Sequence, residues 1–372
     1  MLSRASLRGR FHLIAAALTT LVQLPAVLWL CWLTRTPLPA LVAVLVSPPY
    51  LRQLQSPWQT TAASPTTYLA LGWWSACLVF DLLLVPTGLA VQAGAPFGAA
   101  WGLAGVLALG VGADAVLGRP RLRRRVVRVE GLPPELDGYR IGQLSDVHCG
   151  PHVPEERVAS WVARLNALEL DLVTVTGDLI THGSSHVEAV ARALGGLRAR
   201  DGAFACMGNH DYFTDGEHLV RQLRCNGLTV LRNEGTVIER NGARLYVAGV
   251  DDTWTSRDDL ERALAARPEG APTVLLAHDP DLFPKACSRA VELTLSGHTH
   301  GGQLAVPGVP RLSLARFITV WTAGLYRRGR SWLYVNRGAG TTGPPARLGA
   351  PPELAVITLR RALGVTGRHR QP

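Results

Sequence analysis

The first third of the chain contains almost no charge. Only four charged residues lie between Phe11 and Val116, and these are Arg35, Arg52, Asp81 and Asp114. A soluble globular domain carries many more charged residues on its surface, so this composition argues against such a domain here. From Arg119 onward charged residues recur throughout. The change of composition near Gly118 therefore divides the chain into a membrane segment and a water-soluble segment.

Lysine and paired cysteines are also scarce. Lys285 is the only lysine, so the formal net charge of +10 comes almost wholly from arginine. We interpret this charge as a general preference for arginine and expect no nucleic-acid partner. The six cysteines form no CxxC pair, which gives no indication of a disulfide framework. The sequence contains neither a GxxxxGK loop nor a GxSxG elbow, which argues against a P-loop nucleotide site and a hydrolase serine.

Three stretches of the membrane segment are long and apolar enough to cross a bilayer as helices. They are Phe11–Leu33, Tyr68–Ala90 and Ala93–Leu117, and each exceeds the roughly 20 residues that a crossing requires. A fourth stretch, Leu38–Val46, is short and bracketed by prolines. It is either re-entrant or a fourth, kinked span. The segment as a whole predicts an N-terminal bundle of transmembrane helices.

Arginines flank this bundle at both ends. Arg4, Arg8 and Arg10 precede the first span, and six arginines lie between Arg119 and Arg128. The positive-inside rule then places both ends in the cytoplasm, which requires an even number of crossings. We therefore favour a four-span, multi-pass protein of the cell membrane with a cytoplasmic catalytic domain. With three spans, the catalytic domain lies on the other side.

Six short apolar runs of strand type in the soluble segment are each followed by Asp, His or Asn. The runs are Arg140–Ser145, Leu172–Thr176, Ala203–Met207, Leu245–Val250, Val274–Ala277 and Val291–Ser296. Helix-like stretches lie between most of them, so we predict α/β layers with polar side chains collected at the carboxyl ends of the strands. Carboxylates, imidazoles and an amide oxygen at one edge are the ligands of a dinuclear site for Mn, Fe or Zn.

The polar residues that follow these runs form five blocks. The blocks are Asp146-Val147-His148, Gly177-Asp178, Gly208-Asn209-His210-Asp211, His278 and Gly297-His298-Thr299-His300. In this order they resemble the calcineurin-like metallophosphoesterases, over residues 126–360. The stretches 301–303 and 337–343 resemble a membrane-anchored bacterial subgroup related to UDP-2,3-diacylglucosamine hydrolases. The resemblance implies a four-layer α/β/β/α sandwich preceded by the transmembrane bundle.

The resemblance also implies a role for each residue of the blocks. One of two divalent metal ions is held by Asp146, His148 and His300, the other by Asn209, His278 and His298, and both by the bridging Asp178. A hydroxide that bridges the metals then attacks phosphorus in line. His210 acts as the acid toward the leaving group, and Asp211 orients His210.

These expectations describe a metal-dependent hydrolase of phosphoester or pyrophosphate bonds that acts at the membrane. We expect a lipid-linked or nucleotide-linked phosphate as substrate, and the sequence leaves the oligomeric state open. One alternative is a general phosphodiesterase for soluble nucleotides or nucleic acid. The other is a membrane receptor that binds metal without catalysis; it predicts degraded ligand positions, whereas these positions are intact.

The domain organisation follows from the change of composition and from the blocks. Residues 1–118 form the transmembrane region, and residues 119–135 form a basic juxtamembrane linker with a first strand. The catalytic domain extends over residues 136–360. Residues 361–372 form a basic tail that holds few apolar side chains.

Overall fold

The chain forms two compact units. The structure, a computed structural model, describes residues 20–45, 64–213, 215–306, 309–342 and 345–362. The helical unit comprises Met1–Arg119, Val306–Gly308 and Thr341–Pro351, and the sheet unit comprises Pro120–Ala305, Val309–Gly340 and Pro352–Pro372. Most of the basic tail expected at 361–372 lies outside the described residues.

The helical unit contains four described helices. They are α1 (Thr20–Thr34), α2 (residues 38–45), α3 (Pro65–Gln92) and α4 (Phe97–Leu117). Among the described residues, α3 and α4 are long and apolar enough to cross a membrane. Residues 11–19 of the first predicted span, and Val46, lie outside the described residues. The structure therefore shows two apolar helices of membrane-spanning length. The multi-helix bundle, the number of crossings and the orientation in the membrane stay predictions.

Local chemistry explains where α3 begins and how it packs against α4. The side chain of Ser64 accepts a hydrogen bond from the Thr67 N–H at 3.2 Å and so caps the first turn of α3. On α4, a Cβ added to Gly112 would lie 2.9 Å from the Ala76 Cβ of α3. Glycine at this position lets the two helices approach closely.

The first sheet of the sheet unit has six strands. In spatial order they are β1 (Arg121–Val129), β14 (Glu353–Arg361), β2 (Arg140–Leu144), β3 (Leu172–Thr176), β4 (Ala203–Cys206) and β5 (Thr229–Val230). β1 and β14 are parallel, β14 and β2 are antiparallel, and β2 to β5 are all parallel. The sheet is therefore mixed, and β2 to β5 end at the same edge.

The second sheet also has six strands. In spatial order they are β12 (Gly324–Arg328), β13 (Ser331–Val335), β9 (Leu293–Ser296), β8 (Thr273–Leu276), β7 (Ala243–Gly249) and β6 (Glu234–Arg240). The four central strands are parallel, and β12 and β6 pair antiparallel at the two edges. A separate short pair is formed by β10 (Ala305–Val306) and β11 (Val309–Ser313).

Apolar clusters bury both faces of each sheet. The helices that contribute are α5 (Glu155–Asn166), α6 (Val187–Gly195), α7 (Gly216–Cys225), α8 (Leu260–Leu264) and α9 (Phe283–Ser288). One cluster joins α5 to α7 to the first sheet, a second lies between the sheets, and a third joins α8 and α9 to the second sheet.

Strand β7 illustrates how the sequence produces this arrangement. Leu245 and Val247 belong to the cluster between the sheets, whereas Tyr246 and Ala248 belong to the outer cluster. Successive side chains of a strand face opposite sides, so a continuous apolar run indicates a strand buried on both faces. The prediction of an α/β fold is confirmed, and both of its large sheets are mixed.

A charged cluster joins the two sheets at the amino ends of their parallel strands. Arg240, at the end of β6, lies 2.8 Å from an oxygen of Asp171 and 3.5 Å from one of Asp201. Asp171 immediately precedes β3, and Asp201 lies two residues before β4. The Tyr139 hydroxyl donates to Asp201 at 2.7 Å, and the Arg240 guanidinium lies 5.2 Å from the Tyr139 ring centroid. This cluster therefore connects the two sheets at the end opposite to the residues of the five sequence blocks.

Replacing Arg240 tests this role. Arg240→Met leaves two mostly buried carboxylates without their shared cation, and Arg200 lies farther from Asp171, at 3.8 Å. We expect the free energy of unfolding to fall by about 3 kcal/mol, because a partner of a buried charge is lost. Urea unfolding of the full chain in detergent measures the change. Arg221→Met, exposed on α7, is the control, and an equal effect of both substitutions would contradict the role of Arg240.

Candidate metal centre

The residues of the five blocks lie directly after five parallel strands. Asp146 and His148 follow β2, and Asp178 follows β3. Asn209 and His210 follow β4, His278 follows β8, and His298 and His300 follow β9. Because the sheets pack face to face, the carboxyl ends of the two sets of strands meet at one edge. The structure brings together all seven residues expected to hold metal.

The first group of donor atoms comes from four buried residues, Asp146, His148, Asp178 and His300. The Nε2 atoms of His148 and His300 are 3.0 Å apart. His300 Nε2 lies 3.3 Å from Asp146 Oδ1, and His148 Nε2 lies 3.6 Å from Asp178 Oδ2. One donor atom from each residue lies within 4.8 Å of the others, so the group can surround a single ion.

The second group shares Asp178 with the first. His278 Nε2 lies 3.2 Å from Asp178 Oδ2, and His298 Nδ1 lies 3.3 Å from His278 Nε2. The side-chain oxygen of Asn209 lies 3.1 Å from His298 Nδ1 and completes the group. The same carboxylate oxygen of Asp178 therefore faces an imidazole of each group.

The electrostatics of the cluster fit the binding of cations. Burial alone would raise the pKa of the Asp178 carboxyl, but His278 and two further imidazoles lower it well below its usual value. Burial would lower the pKa of His278, whereas the Asp178 and Asp146 carboxylates raise it to about 10. A proton on His278 thus balances the buried carboxylate. A divalent cation supplies the same positive charge to neutral imidazoles, so these residues fit metal ions.

Five of the expected ligands have an unusual backbone conformation. The φ angles are positive at Asp146 (49°), His148 (48°), Asp178 (53°), His298 (70°) and His300 (52°). Non-glycine residues in this region cost on the order of 1–3 kcal/mol each and occur mainly at functional sites. The surrounding loops hold them there, because His148 N–H donates to the Asp178 carbonyl at 3.0 Å and Gly340 N–H donates to the Asp146 carbonyl at 2.8 Å.

Comparison with known proteins identifies the family. The Calcineurin-like phosphoesterase family model matches residues 139–302. The chain is 34% identical to Uncharacterized metallophosphoesterase YkuE of Bacillus subtilis, over 62% of this chain and 82% of that protein. The chain belongs to the calcineurin-like metallophosphoesterase family. This metallophosphoesterase is therefore a hydrolase, and the family normally uses a dinuclear metal centre.

Two further relatives bear on the finer expectations. The metallophosphoesterase is 34% identical to Transmembrane protein with metallophosphoesterase domain of Danio rerio, over 63% of this chain and 56% of that protein. It is 32% identical to Phosphodiesterase YaeI of Escherichia coli, over 59% of this chain and 82% of that protein. The chain thus spans about half of its transmembrane relative. The expected UDP-2,3-diacylglucosamine hydrolase subgroup is not specifically supported by these likenesses.

His210 lies at the border of the first group. Its backbone N–H donates to Asp178 Oδ1 at 2.9 Å, and its ring is 4.8 Å from the ring of His148 between centroids. His210 Nδ1 lies 2.9 Å from the carbonyl oxygen of Thr181, so Nδ1–H donates to that oxygen. The other ring nitrogen, Nε2, is then the one that can exchange a proton with a substrate.

Asp211 has partners other than the one expected from the sequence. The structure gives His210 Nδ1 the Thr181 carbonyl as its partner, while the buried Asp211 carboxylate accepts backbone N–H groups. Gly208 N–H donates to it at 2.9 Å and Leu179 N–H at 2.7 Å. Burial and then the charge of Asp178 raise the pKa of Asp211 to about 7, against the effect of these amides. Asp211 therefore ties the Asp178 loop to the Asn209 loop.

Two exposed aromatic residues beside the centre were missed by the sequence reasoning. The Trp254 side chain is 59% exposed, and its ring lies 4.9 Å from the His298 ring between centroids. Phe213 is 42% exposed, and its ring lies 4.6 Å from the His210 ring. Each lies a few residues beyond the carboxyl end of a parallel strand, as the metal ligands do. This position was the signal for them in the sequence. Apolar side chains exposed beside a polar centre indicate contact with an organic ligand.

Asp211→Asn tests the tie between the two loops. An amide has one acceptor oxygen and turns its NH₂ group toward a backbone N–H, so one loop loses its anchor. We expect metal affinity to fall about 10–100-fold, as it does when groups that position ligands are removed. Calorimetric titration of Mn into the metal-free full chain measures the affinity.

Asp215→Asn is the matched control for Asp211→Asn. Asp215 accepts the His218 N–H at 2.9 Å as the N-cap of α7, and asparagine caps helices equally well. We expect no change in metal affinity for this variant. Unchanged affinity in Asp211→Asn as well would contradict the positioning role of Asp211.

Proposed function

We propose that this metallophosphoesterase hydrolyses a phosphoester or pyrophosphate bond of a lipid-linked or nucleotide-linked substrate at the membrane. The observation that carries the proposal is the shared Asp178 carboxylate between two groups of imidazoles. Two groups that share one carboxylate are the arrangement of a two-metal hydrolase.

The proposed ligand sets follow the two groups of donor atoms. Asp146, His148 and His300 would hold one cation, Asn209, His278 and His298 would hold the other, and Asp178 would be a ligand of both. Mn, Fe and Zn suit this mixture of imidazole and oxygen ligands. When bound, such ions polarise phosphoryl oxygens and lower the pKa of water.

The side chains of this chain then supply binding and proton transfer. Asp178 is held by the His210 N–H at 2.9 Å, which fixes the carboxylate between the two groups. With Nδ1–H donated to Thr181, Nε2 of a protonated His210 gives its proton to the oxygen of the departing group. His210 is the catalytic acid of the proposal, and Asp211 is a positioning residue.

Two observations support the substrate class. The exposed rings of Trp254 and Phe213 flank His298 and His210, and they offer apolar surfaces to the organic part of a phosphate ester. The apolar helices α3 and α4 support action at a membrane, since they are long enough to cross one. A soluble nucleotide as substrate remains the second candidate, because an aromatic ring such as Trp254 also stacks on a base.

Two substitutions distinguish metal binding from proton transfer. Asp178→Asn removes the shared charge, so we expect it to lose both bound metal and hydrolysis. His210→Ala leaves the ligands in place, so we expect full metal content with kcat about 10²–10⁴-fold lower. Elemental analysis and turnover of a phosphodiester by the Mn-loaded full chain in detergent measure both quantities. Equal loss of metal in the two variants would contradict the assignment of His210.

Trp254→Ala tests the contact with the organic part of the substrate. We expect KM to rise about 10-fold or more for a nucleotide diester, because base stacking contributes roughly 1–3 kcal/mol. The KM for a diester without an aromatic ring should change little, and Trp254→Phe should restore most of the affinity. An equal rise in KM for both substrates would show that Trp254 acts only through the position of His298. A preference of the parent protein for lipid-linked over soluble substrates would separate the two candidates.

A further inference from the structure

A segment of the sheet unit exposes several large apolar side chains and buries several small ones. We call residues 312–320, which run from the end of β11 through a short 3-10 turn, the apolar loop. Its exposed apolar residues include Leu312 (60% exposed), Phe317 (89%), Ile318 (65%) and Val320 (58%). Its buried residues are the small Ser313, Ala315 and Thr319. Folding normally produces the opposite distribution, so the exposed apolar surface indicates a binding surface.

Specific contacts fix the apolar loop in this orientation. Thr319 Oγ1 donates to Asp281 Oδ1 at 2.5 Å, and the N–H groups of Ile318 and Thr319 donate to the Ala315 carbonyl at 2.9 and 3.0 Å. The Thr319 side chain is therefore held inward by a hydrogen bond, and two backbone hydrogen bonds to Ala315 close the turn. The large side chains are left to project outward as a consequence of this turn.

The apolar loop also contacts the turn that carries the ligand His300. A Cβ added to Gly302 would lie 2.6 Å from Ser313 Cβ and 2.9 Å from the Ala315 N atom, so the loop lies against this turn. Just beyond the loop, Thr299 Oγ1 donates to the Thr322 carbonyl at 2.6 Å. The exposed apolar surface is thus built directly beside the metal centre.

The sequence around the apolar loop carries positive but no negative side chains. No acidic residue occurs between Glu292 and Glu353, whereas seven arginines do: Arg311, Arg316, Arg327, Arg328, Arg330, Arg337 and Arg347. Three of them pair with acids, Arg327 with Glu130, Arg330 with Glu292 and Arg337 with Glu353. Arg316, within the loop, and Arg328 are exposed. The acid in contact with the loop, Asp281, accepts the Thr319 hydroxyl.

We propose that the apolar loop inserts Leu312, Phe317, Ile318 and Val320 into the headgroup region of an anionic lipid bilayer, beside the metal centre. Apolar side chains next to arginine are the composition of segments that lie in this region. The chain also carries apolar helices of membrane-spanning length, which favours a bilayer as the partner of the loop. The inference rests on the proposed function and adds a lipid surface beside the site of hydrolysis.

Photo-crosslinking of the full chain tests the lipid contact without any need for hydrolysis. The chain is reconstituted in nanodiscs of phosphatidylglycerol and phosphatidylcholine, with p-benzoylphenylalanine in place of Phe317 or Ile318. The control carries it in place of Arg221, which is exposed on α7. We expect about tenfold more lipid adduct at the two loop positions than at the control position, because the proposal places the loop positions, and not position 221, in the lipid.

A second comparison tests the anionic headgroups. Arg316→Glu should reduce the adduct at position 317 several-fold in nanodiscs that contain phosphatidylglycerol, and much less in those of phosphatidylcholine alone. Lipid adducts at positions 317 and 318 no higher than at 221 would overturn the proposal, as would adducts that join two copies of the chain. Metal content and turnover of a soluble phosphodiester are measured on the same samples, so failure of the lipid contact is distinguished from failure of the proposed hydrolase.

Discussion

The buried carboxylate of Asp178 joins the two sheets at the edge where the metal centre lies. Asp178 follows a strand of the first sheet, whereas His278, 3.2 Å away, follows a strand of the second. A negative charge without water is strongly disfavoured unless positive charge balances it, so the sheets must meet here around a proton or a cation. At the opposite strand ends Arg240 fulfils the same need for Asp171 and Asp201. Ionic contacts therefore close the apolar layer between the sheets at both of its ends.

This constraint also explains the backbone of the ligand loops. Side chains that leave adjacent strands diverge unless the backbone turns sharply, and the left-handed conformation provides that turn within one residue. Asp146 and Asp178 both adopt it two residues beyond the ends of β2 and β3. Hydrogen bonds between the loops, such as those of the Asp211 carboxylate, oppose the relaxation of these residues. These contacts favour a centre whose ligands are in place before substrate binds, as preorganised catalysis requires.

Much of the fold could be predicted because short apolar runs in the sequence indicate its strands. Each of the six apolar runs is a strand, with ends that differ from the prediction by at most two residues. The ligand positions could be predicted for the same reason, since polar residues after buried strands of one sheet share an edge. The partners of Asp211 could not be, because they are backbone amides of segments distant in sequence. Phe213 and Trp254 were not predicted either, because an aromatic side chain in a loop is expected to be buried unless the structure shows that it is exposed.

The position of β14 in the first sheet has a consequence for synthesis at the ribosome. β14 lies between β1 and β2, pairing in parallel with one and antiparallel with the other. β1 directly follows the last apolar helix and is made early, but its neighbour is made only after all the other strands. The nascent first sheet therefore stays open, with an unpaired arginine-rich strand, until translation of the described chain is almost over. Exposed arginines on that strand discourage wrong pairing during the delay.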